Sequence, residues 1–242
     1  MKALIFAAGL GTRLKPLTDS IPKALVPVGG KPLLQHVIEK LSNSGFNEIV
    51  INVHHFPEQI VGFLRDNNNF GLPIDISDES DQLLDTGGGI RKASAFLKGD
   101  APFLVHNVDI LSNADLRKPY DNHIRQEGMA TLLVSRRKTN RYLLFNEQNE
   151  LKGWINESTG EVKSPYPDFS PEKYQRFAFA GIQVVSPEIF DRMKNLQDKF
   201  SIIDFYLSIA AEVKIKGYPV PDLKMVDVGK IDSLWEAEEF LK

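Results

Sequence analysis

The chain has 242 residues, of which 42% are hydrophobic and 25% charged, so it can bury a substantial core and is neither disordered nor fibrous. Its 29 basic residues are outnumbered by 32 acidic ones, and a net charge of −3 argues against a dedicated nucleic-acid binder. Because there is no cysteine, disulfides, thiolate metal sites and a cysteine nucleophile are excluded.

The first half of the chain alternates short apolar runs with amphipathic stretches of helical length. Strands are predicted at residues 3–8, 48–53, 74–77 and 102–108, and helices at 32–44, 57–67 and 89–97. This alternation predicts an α/β fold with a Rossmann-like, doubly wound, mostly parallel sheet. The run at 3–8 is too short for a membrane span and lacks signal-peptide features, so we expect a cytoplasmic protein without a membrane partner.

The second half has a different texture. Closely spaced strands are predicted at 130–136, 142–145 and 151–155, with a hairpin connection at 146–149, and they indicate a small antiparallel insertion. A strand at 177–185, helices at 202–213 and 231–242, and a final strand at 224–228 follow. No repeat or flexible linker is present, so residues 1–242 are expected to form a single domain.

A glycine-containing segment directly follows the first strand. Gly9, Gly11 and Thr12 lie where an open α/β sheet has its crevice, and glycines there let backbone N–H groups approach phosphate oxygens. Arg13 can neutralise phosphate charge. The Walker A loop and the dinucleotide fingerprint both fail, the latter because Leu14 stands where a third glycine is needed. A tight turn that needs glycine only for its geometry remains an equal alternative.

Lys23 lies in a stiff segment between two prolines, Pro22 and Pro27. A lysine held rigidly beside a phosphate loop is suited to position a triphosphate or a phosphate nucleophile. The commoner fate of a lysine is a solvated surface position, so its proximity to the glycine segment is what favours a functional role.

Two aspartates are candidates for a metal site. Asp109 ends a strong central strand, and Asp227 lies within an apolar strand, where an isolated acid is costly unless it is paired or bound to metal. Carboxylates of this kind can hold magnesium together with phosphate oxygens. Each aspartate could alternatively be a cap or a turn residue.

The run AAGLGTRLKPLTDSIPKALVPV at 7–28 closely resembles the signature of the sugar-1-phosphate nucleotidyltransferases. The resemblance continues through DTGGGI at 85–90, through Asp109 and through VDVG at 226–229, and it covers nearly the whole chain. The short, glycine-rich form of the second motif most resembles the N-acetylmuramate 1-phosphate uridylyltransferases. The resemblance thus implies the nucleotide-diphospho-sugar transferase type of the Rossmann-like fold.

The resemblance also implies roles for particular residues. It implies that Gly87 and Gly88 line the nucleobase pocket and that Asp109 and Asp227 bind Mg²⁺. Arg13 and Lys23 are then the catalytic residues, Arg13 holding the leaving pyrophosphate and Lys23 the acceptor phosphate. The predicted nucleotide-binding residues are Gly9, Gly11, Thr12, Arg13, Gly87, Gly88 and Asn107. The chain departs from the family pattern at Val108, where glycine is common.

The sequence contains fewer recognisable features for the site that binds the acceptor sugar phosphate. The Glu-Lys-Pro segment that helps to bind sugar phosphate in many relatives has no clear counterpart, and Asn156-Glu157-Ser158 falls in that region. We predict that Lys23, Arg176 and Gly181 contribute there. The basic cluster at residues 136–141 either receives an anionic sugar phosphate or forms a solvated strand end, and the second is commoner.

The predicted reaction is transfer of a nucleoside monophosphate from a nucleoside triphosphate, UTP in the first instance, to N-acetylmuramate 1-phosphate or a related hexose 1-phosphate. Alternatives are a guanylyl- or cytidylyltransferase acting on mannose or heptose phosphates, and a non-catalytic sensor of nucleotide sugars. The expected partners are these small molecules, and the expected assembly is a monomer or a small homo-oligomer.

Overall fold

The computed structural model describes all residues, 1–242. The elements of the first half are β1 (Lys2–Phe6), β2 (Pro27–Val28), β3 (Lys31–Pro32), α1 (Leu33–Asn43), β4 (Glu48–Val53), α2 (Pro57–Asp66), β5 (Ile74–Asp78), α3 (Asp85–Lys92), α4 (Ser94–Leu97), β6 (Phe103–Asn107), β7 (Ile110–Ser112) and α5 (Arg117–Gln126). Those of the second half are β8 (Ala130–Ser135), β9 (Arg141–Phe145), β10 (Leu151–Asn156), β11 (Glu161–Lys163), β12 (Gln175–Val185), α6 (Ile189–Met193), α7 (Ile202–Ile209), β13 (Ile215–Pro219), β14 (Met225–Asp227) and α8 (Asp232–Phe240).

One sheet of ten strands organises the molecule. Strands β5, β4, β1 and β6 are parallel neighbours in that order, and β12 pairs antiparallel with β6. Beyond β6 the sheet branches, since β12 pairs through one part with β8 and through its beginning with β9. Strands β9, β10 and β11 form the antiparallel addition. The predicted α/β sheet with an antiparallel insertion is confirmed.

The sheet is covered on both faces, as a doubly wound fold requires. Ala3 and Ile5 of β1 belong to one buried cluster, which includes the apolar faces of α1 and α2. Leu4, between them, belongs to a second cluster with α3, α4, α6 and α7. Alternate residues of one strand therefore serve two cores, which explains why this run is apolar throughout.

Several elements were not predicted from the sequence. Helix α5 buries only three of its ten residues, Pro119, Tyr120 and His123, so its apolar stripe is weak. Strand β13 was not predicted either, because a lysine and a glycine interrupt its short apolar run. The helix predicted at 89–97 was wrong at its start, because α3 begins at Asp85 and includes all three glycines. No helix is both long enough and apolar enough to cross a bilayer.

His123 of α5 makes the stability of the fold depend on pH. Its ring is buried between the hydroxyl groups of Thr131 and Ser186, each 2.9 Å away. Because the Ser186 hydroxyl donates to the Gly128 carbonyl, the imidazole donates from Nε2, and in the neutral ring Nδ1 accepts from the Thr131 hydroxyl. Burial lowers the pKa of His123 to about 4, so the unfolded chain takes up the proton first as the pH falls.

We therefore expect the stability from neutral His123 to be complete above about pH 6.5 and lost progressively toward pH 4, by up to about 3 kcal/mol. The variant His123→Gln should be less stable at pH 7.5 and should show a smaller further loss on acidification. Urea unfolding at several pH values measures both effects. Equal pH slopes for the two proteins would contradict the prediction.

Candidate functional site

A cavity of about 390 Å³ opens at the carboxyl ends of β1, β4 and β6. We call it the crevice. It is lined by Phe6, Ala8, Gly9, Lys23, Asn52, Glu79, Leu83, Asp85, Thr86, Asn107, Val108, Asp109 and Lys199. Its position is the one that open parallel sheets use for ligands, because the loops that follow neighbouring strands diverge there.

The glycine segment enters the crevice directly from β1. The backbone N–H groups of Ala7 and Ala8 donate to Oδ1 of Asn52, at 2.7 and 3.3 Å. Those of Gly9, Leu10 and Gly11 form no hydrogen bond within the protein. The segment therefore keeps free donors at the mouth of the crevice, as phosphate binding requires.

Gly11 cannot be replaced without strain. Its φ of 64° is left-handed, and a Cβ there would lie 2.8 Å from Cγ2 of Thr18 and 3.1 Å from Cβ of Lys23. The Thr18 hydroxyl donates to the Gly11 carbonyl at 2.8 Å. The turn is thus packed directly against the segment that carries Lys23, which links the two motifs physically.

A buried polar pair below the crevice was missed in the sequence. Nδ2 of Asn52 donates to Oε1 of Glu79 at 2.7 Å, and Oε2 of Glu79 accepts from the Leu84 backbone at 3.1 Å. Glu79 is fully buried and has no cationic partner. The pair ties the start of the glycine segment to the segment before α3. A polar residue inside the apolar run of β4 was the only sequence signal.

Lys23 and Asp109 form an ion pair on the wall of the crevice. Lys23 begins a short 3₁₀ turn, Lys23–Leu25, and its side chain is only 11% exposed. Asp109 follows β6 in the turn before β7. The proline-bracketed segment therefore directs its lysine inward rather than into solvent.

Asp227 lies close to Asp109, although it belongs to the C-terminal part of the chain. Strand β14 pairs antiparallel with β7 so that Asp227 faces Ile110, and the next N–H, of Val228, donates to the Asp109 carbonyl at 2.8 Å. The two aspartates are thus brought together, as the sequence analysis required. Asp227 itself lies at the exposed rim.

The surroundings of Asp227 disfavour its negative charge. Partial desolvation, followed by the charge of Asp109, raises its pKa above the usual value, while Lys23, Arg13 and Arg137 oppose the rise. Arg13 is close by, because a Cβ at Gly229 would lie 2.8 Å from both Nη2 of Arg13 and Oδ1 of Asp227. The two carboxylates and the neighbouring basic side chains together are suited to bind a metal cation and a phosphate group side by side.

A divalent cation fits the donor set at these aspartates. The negative charge of Asp109 disfavours that of Asp227, and a cation between them would relieve this repulsion. Carboxylate oxygens are ligands that Mg²⁺ prefers, and Mg²⁺ commonly takes its remaining ligands from water and phosphate. No cluster of three or more histidine, cysteine, aspartate or glutamate residues that could hold a metal ion is present.

Gly87 and Gly88 serve packing in this structure. Both N–H groups donate to the Phe200 carbonyl, at 2.9 and 3.3 Å, and neither glycine lines the crevice. A Cβ at Gly87 would lie 2.3 Å from the Phe200 ring, and one at Gly88 would lie 2.2 Å from the Asp198 carbonyl oxygen. The segment before α7 packs so closely against α3 that a larger residue would not fit at these two positions. Their predicted place at the nucleobase stays a prediction.

We expect Gly88→Ala to destabilise the protein by about 1–3 kcal/mol, because the backbone at Asp198 must move away. Gly62→Ala is the matched control. Gly62 also lies inside a helix, α2, but a Cβ there has no neighbour within 4 Å, so alanine should stabilise by up to about 1 kcal/mol. Thermal unfolding measures both, and an unchanged midpoint for Gly88→Ala would contradict the packing role.

Two of the predicted acceptor residues, Arg176 and Gly181, lie in β12, whereas the third, Lys23, lies in its 3₁₀ turn. Gly181 has a φ of 73°, and a Cβ there would lie 2.9 Å from Nδ2 of Asn107. Arg176 already forms an ion pair with Glu157 at 2.6 Å. Val108 is buried and lines the crevice, so its side chain narrows the space next to Asp109. Thr12, also predicted, is exposed at the glycine segment.

Comparison with known proteins assigns the family. A family model described as nucleotidyl transferase matches residues 2–242. The chain belongs to this family.

Among the relatives of this nucleotidyl transferase is an N-acetylmuramate α-1-phosphate uridylyltransferase of Neisseria meningitidis, 36% identical over 79% of this chain and 78% of the relative. Another of the same description, from Caulobacter vibrioides, is 47% identical over 44% of this chain and 45% of its own length. A UTP–glucose-1-phosphate uridylyltransferase of Synechocystis is 29% identical over 98% of this chain but only 62% of the relative. The chain thus spans less than two thirds of some relatives.

Solved structures share the fold. A UDP-glucose pyrophosphorylase from Acinetobacter baumanii superimposes with a TM-score of 0.78, at 18% identity, covering 98% of this chain and 91% of the other. An inositol-1-phosphate CTP transferase from T. maritima gives 0.78 at 15% identity, covering 98% and 94%. These likenesses support the Rossmann-like architecture of the nucleotidyl transferase.

Proposed function

We propose that this protein transfers a nucleoside monophosphate from a nucleoside triphosphate to the phosphate of a sugar 1-phosphate, releasing pyrophosphate. The observation that carries the proposal is the meeting of Asp109 and Asp227 beside Lys23, Arg13 and the free N–H groups of the glycine segment. Such an arrangement suits chemistry in which two polyanions must approach one another.

UTP and N-acetylmuramate 1-phosphate are the proposed substrates. Two relatives named for this reaction support them, one of them similar over most of both chains. GTP with mannose 1-phosphate is the second candidate, since a mannose-1-phosphate guanyltransferase of Pichia angusta is 31% identical over 95% of this chain and 61% of its own length.

The reaction is an in-line displacement at the α-phosphorus. A phosphate oxygen of the acceptor forms the new bond while the bond to the bridging oxygen of pyrophosphate breaks, and no proton has to be removed from the nucleophile. Lys23 attracts and orients the acceptor phosphate, and Arg13 with the backbone of Gly9 and Gly11 binds the leaving pyrophosphate. Asp109 holds Lys23 in position through their ion pair.

Magnesium is the proposed cofactor, with Asp109 and Asp227 as its protein ligands. When bound, it would neutralise phosphate charge and polarise the α-phosphoryl group. We further propose that the protein acts in the cytoplasm as a monomer or a small homo-oligomer on these small molecules alone. The net charge of −3 fits the absence of a nucleic-acid partner.

A pyrophosphate-release assay over a grid of four nucleoside triphosphates and several sugar 1-phosphates tests the function. We expect the highest kcat/KM for UTP with N-acetylmuramate 1-phosphate and none without magnesium. A best rate with GTP and mannose 1-phosphate would favour the second candidate. Nucleotide binding without turnover of any pair would instead indicate a sensor and overturn the proposal.

A further inference from the structure

The loop between β8 and β9 carries positive charges that the protein leaves unpaired. Arg136, Arg137, Lys138 and Arg141 lie within six residues, and none forms an ion pair with a carboxylate. In a chain with a net charge of −3, such a group is an unusual concentration of free positive charge. The side chains of this basic group differ in the contacts that they make.

Arg137 is held against β12, the strand whose Gly181 lies beside the crevice. Its Nη2 donates to the Phe179 carbonyl at 3.0 Å, at the point where the register of β12 against β8 shifts. Two residues further along β12, Gly181 lies against Asn107, which lines the crevice. The guanidinium therefore contacts β12 two residues away from Gly181, which was predicted to contribute to the acceptor site.

Arg136 and Arg176, on either side of this position, already have partners within the protein. Arg136 lies over the Phe177 ring, 5.0 Å from its centre, and donates to Oε1 of Gln175 at 3.2 Å. Arg176 is paired with Glu157. Arg137 has only one carbonyl contact, so most of its N–H donors remain available to a ligand.

We propose that Arg137 binds a carboxylate that the acceptor carries in addition to its phosphate. The phosphate itself is met by Lys23 deeper in the crevice, whereas an exposed guanidinium at the rim reaches a group on the far side of the sugar. Its planar set of donors matches a carboxylate with two parallel hydrogen bonds. The inference rests on the proposed function and deepens it, since N-acetylmuramate bears a carboxylate that neutral hexose phosphates lack.

The test compares Arg137→Ala with Arg136→Ala, a change of the same kind one residue away. Two acceptors are used with UTP: N-acetylmuramate 1-phosphate, and N-acetylglucosamine 1-phosphate, which lacks the carboxylate. For Arg137→Ala we expect KM for the first acceptor to rise about tenfold or more and KM for the second and for UTP to change less than about twofold. Arg137→Lys should restore part of the loss, and Arg136→Ala should change none of these constants by more than about twofold.

Calorimetric binding of both acceptors, measured with a non-hydrolysable UTP analogue present, gives a readout that does not require turnover. A preference for the carboxylate acceptor that disappears in Arg137→Ala supports the proposal. Equal effects on both acceptors, or no effect, overturn it while leaving the transferase intact. Absence of turnover with every acceptor in the unmodified protein overturns the proposed function instead, and the binding preference still decides the role of Arg137.

Discussion

Asp109→Ala is expected to lower the rate of magnesium-dependent pyrophosphate release by about a thousandfold or more. The substitution removes one of two carboxylates available to the metal and also frees Lys23 from its partner. Both effects fall on the charge that must be neutralised as the α-phosphoryl group is transferred. Initial rates over a range of magnesium concentrations measure the loss, and a rate close to that of the unmodified protein would exclude Asp109 as a metal ligand.

Two further variants separate a catalytic loss from misfolding. Asp222→Ala is the matched control, because Asp222 is exposed on the segment before β14 and only its backbone carbonyl is used, by Asn113. It should keep full activity. Asp227→Asn should lose activity as Asp109→Ala does, yet melt at the same or a higher temperature without added magnesium, since its surroundings disfavour the carboxylate charge. A lower melting temperature would contradict this account of Asp227.

Lys23→Ala is expected to reduce kcat by about a hundredfold to a thousandfold while changing KM for the nucleoside triphosphate little. The ammonium group is held beside Asp109 with only 11% of its side chain exposed. Its proposed work is to bring the acceptor phosphate to the α-phosphorus, which is a requirement of the transition state rather than of nucleotide binding. Single-turnover rates at saturating substrate measure this directly.

Lys15→Ala supplies the control for a lost positive charge near the glycine segment. Lys15 forms only an exposed pair with Asp19, at 2.9 Å, and such pairs contribute little. Its kcat should stay within about twofold of the unmodified protein. If Lys23→Ala also stayed in that range, the Lys23–Asp109 pair would be structural and the mechanism would need another cation.

The regular half of the fold was predictable because its signals are local. In β1, apolar residues on both faces require cover on both sides, and the stripe of α1 with Gly45 after it delimits a helix. Helix α5 lacked such a signal. The glycines of α3 misled the prediction, since their low helix propensity is outweighed by the close approach of residues 198–200.

The location of a candidate residue at the crevice was predictable where its position in the chain determines it. Asp109 was recognisable because a carboxylate ending an apolar strand must face the crevice, and Lys23 because prolines hold it near a phosphate loop. Glu79 was not recognisable, because its burial depends on Asn52 of another strand. In the sequence, Arg137 is one of four neighbouring basic residues. Only the structure distinguishes it from Arg136, because the two side chains contact different residues of β12.

By itself, the sequence determined the alternation of strands and helices in the first half, the charge balance and the groups able to bind phosphates, since these follow from patterns within a few residues. Only the tertiary structure decided that Asp227 meets Asp109, because 118 positions separate them and the β7–β14 pairing joins them. It likewise decided that Phe200 covers Gly87 and that Arg137 donates to the Phe179 carbonyl of β12. Contacts between distant segments depend on packing and register, which no local pattern specifies.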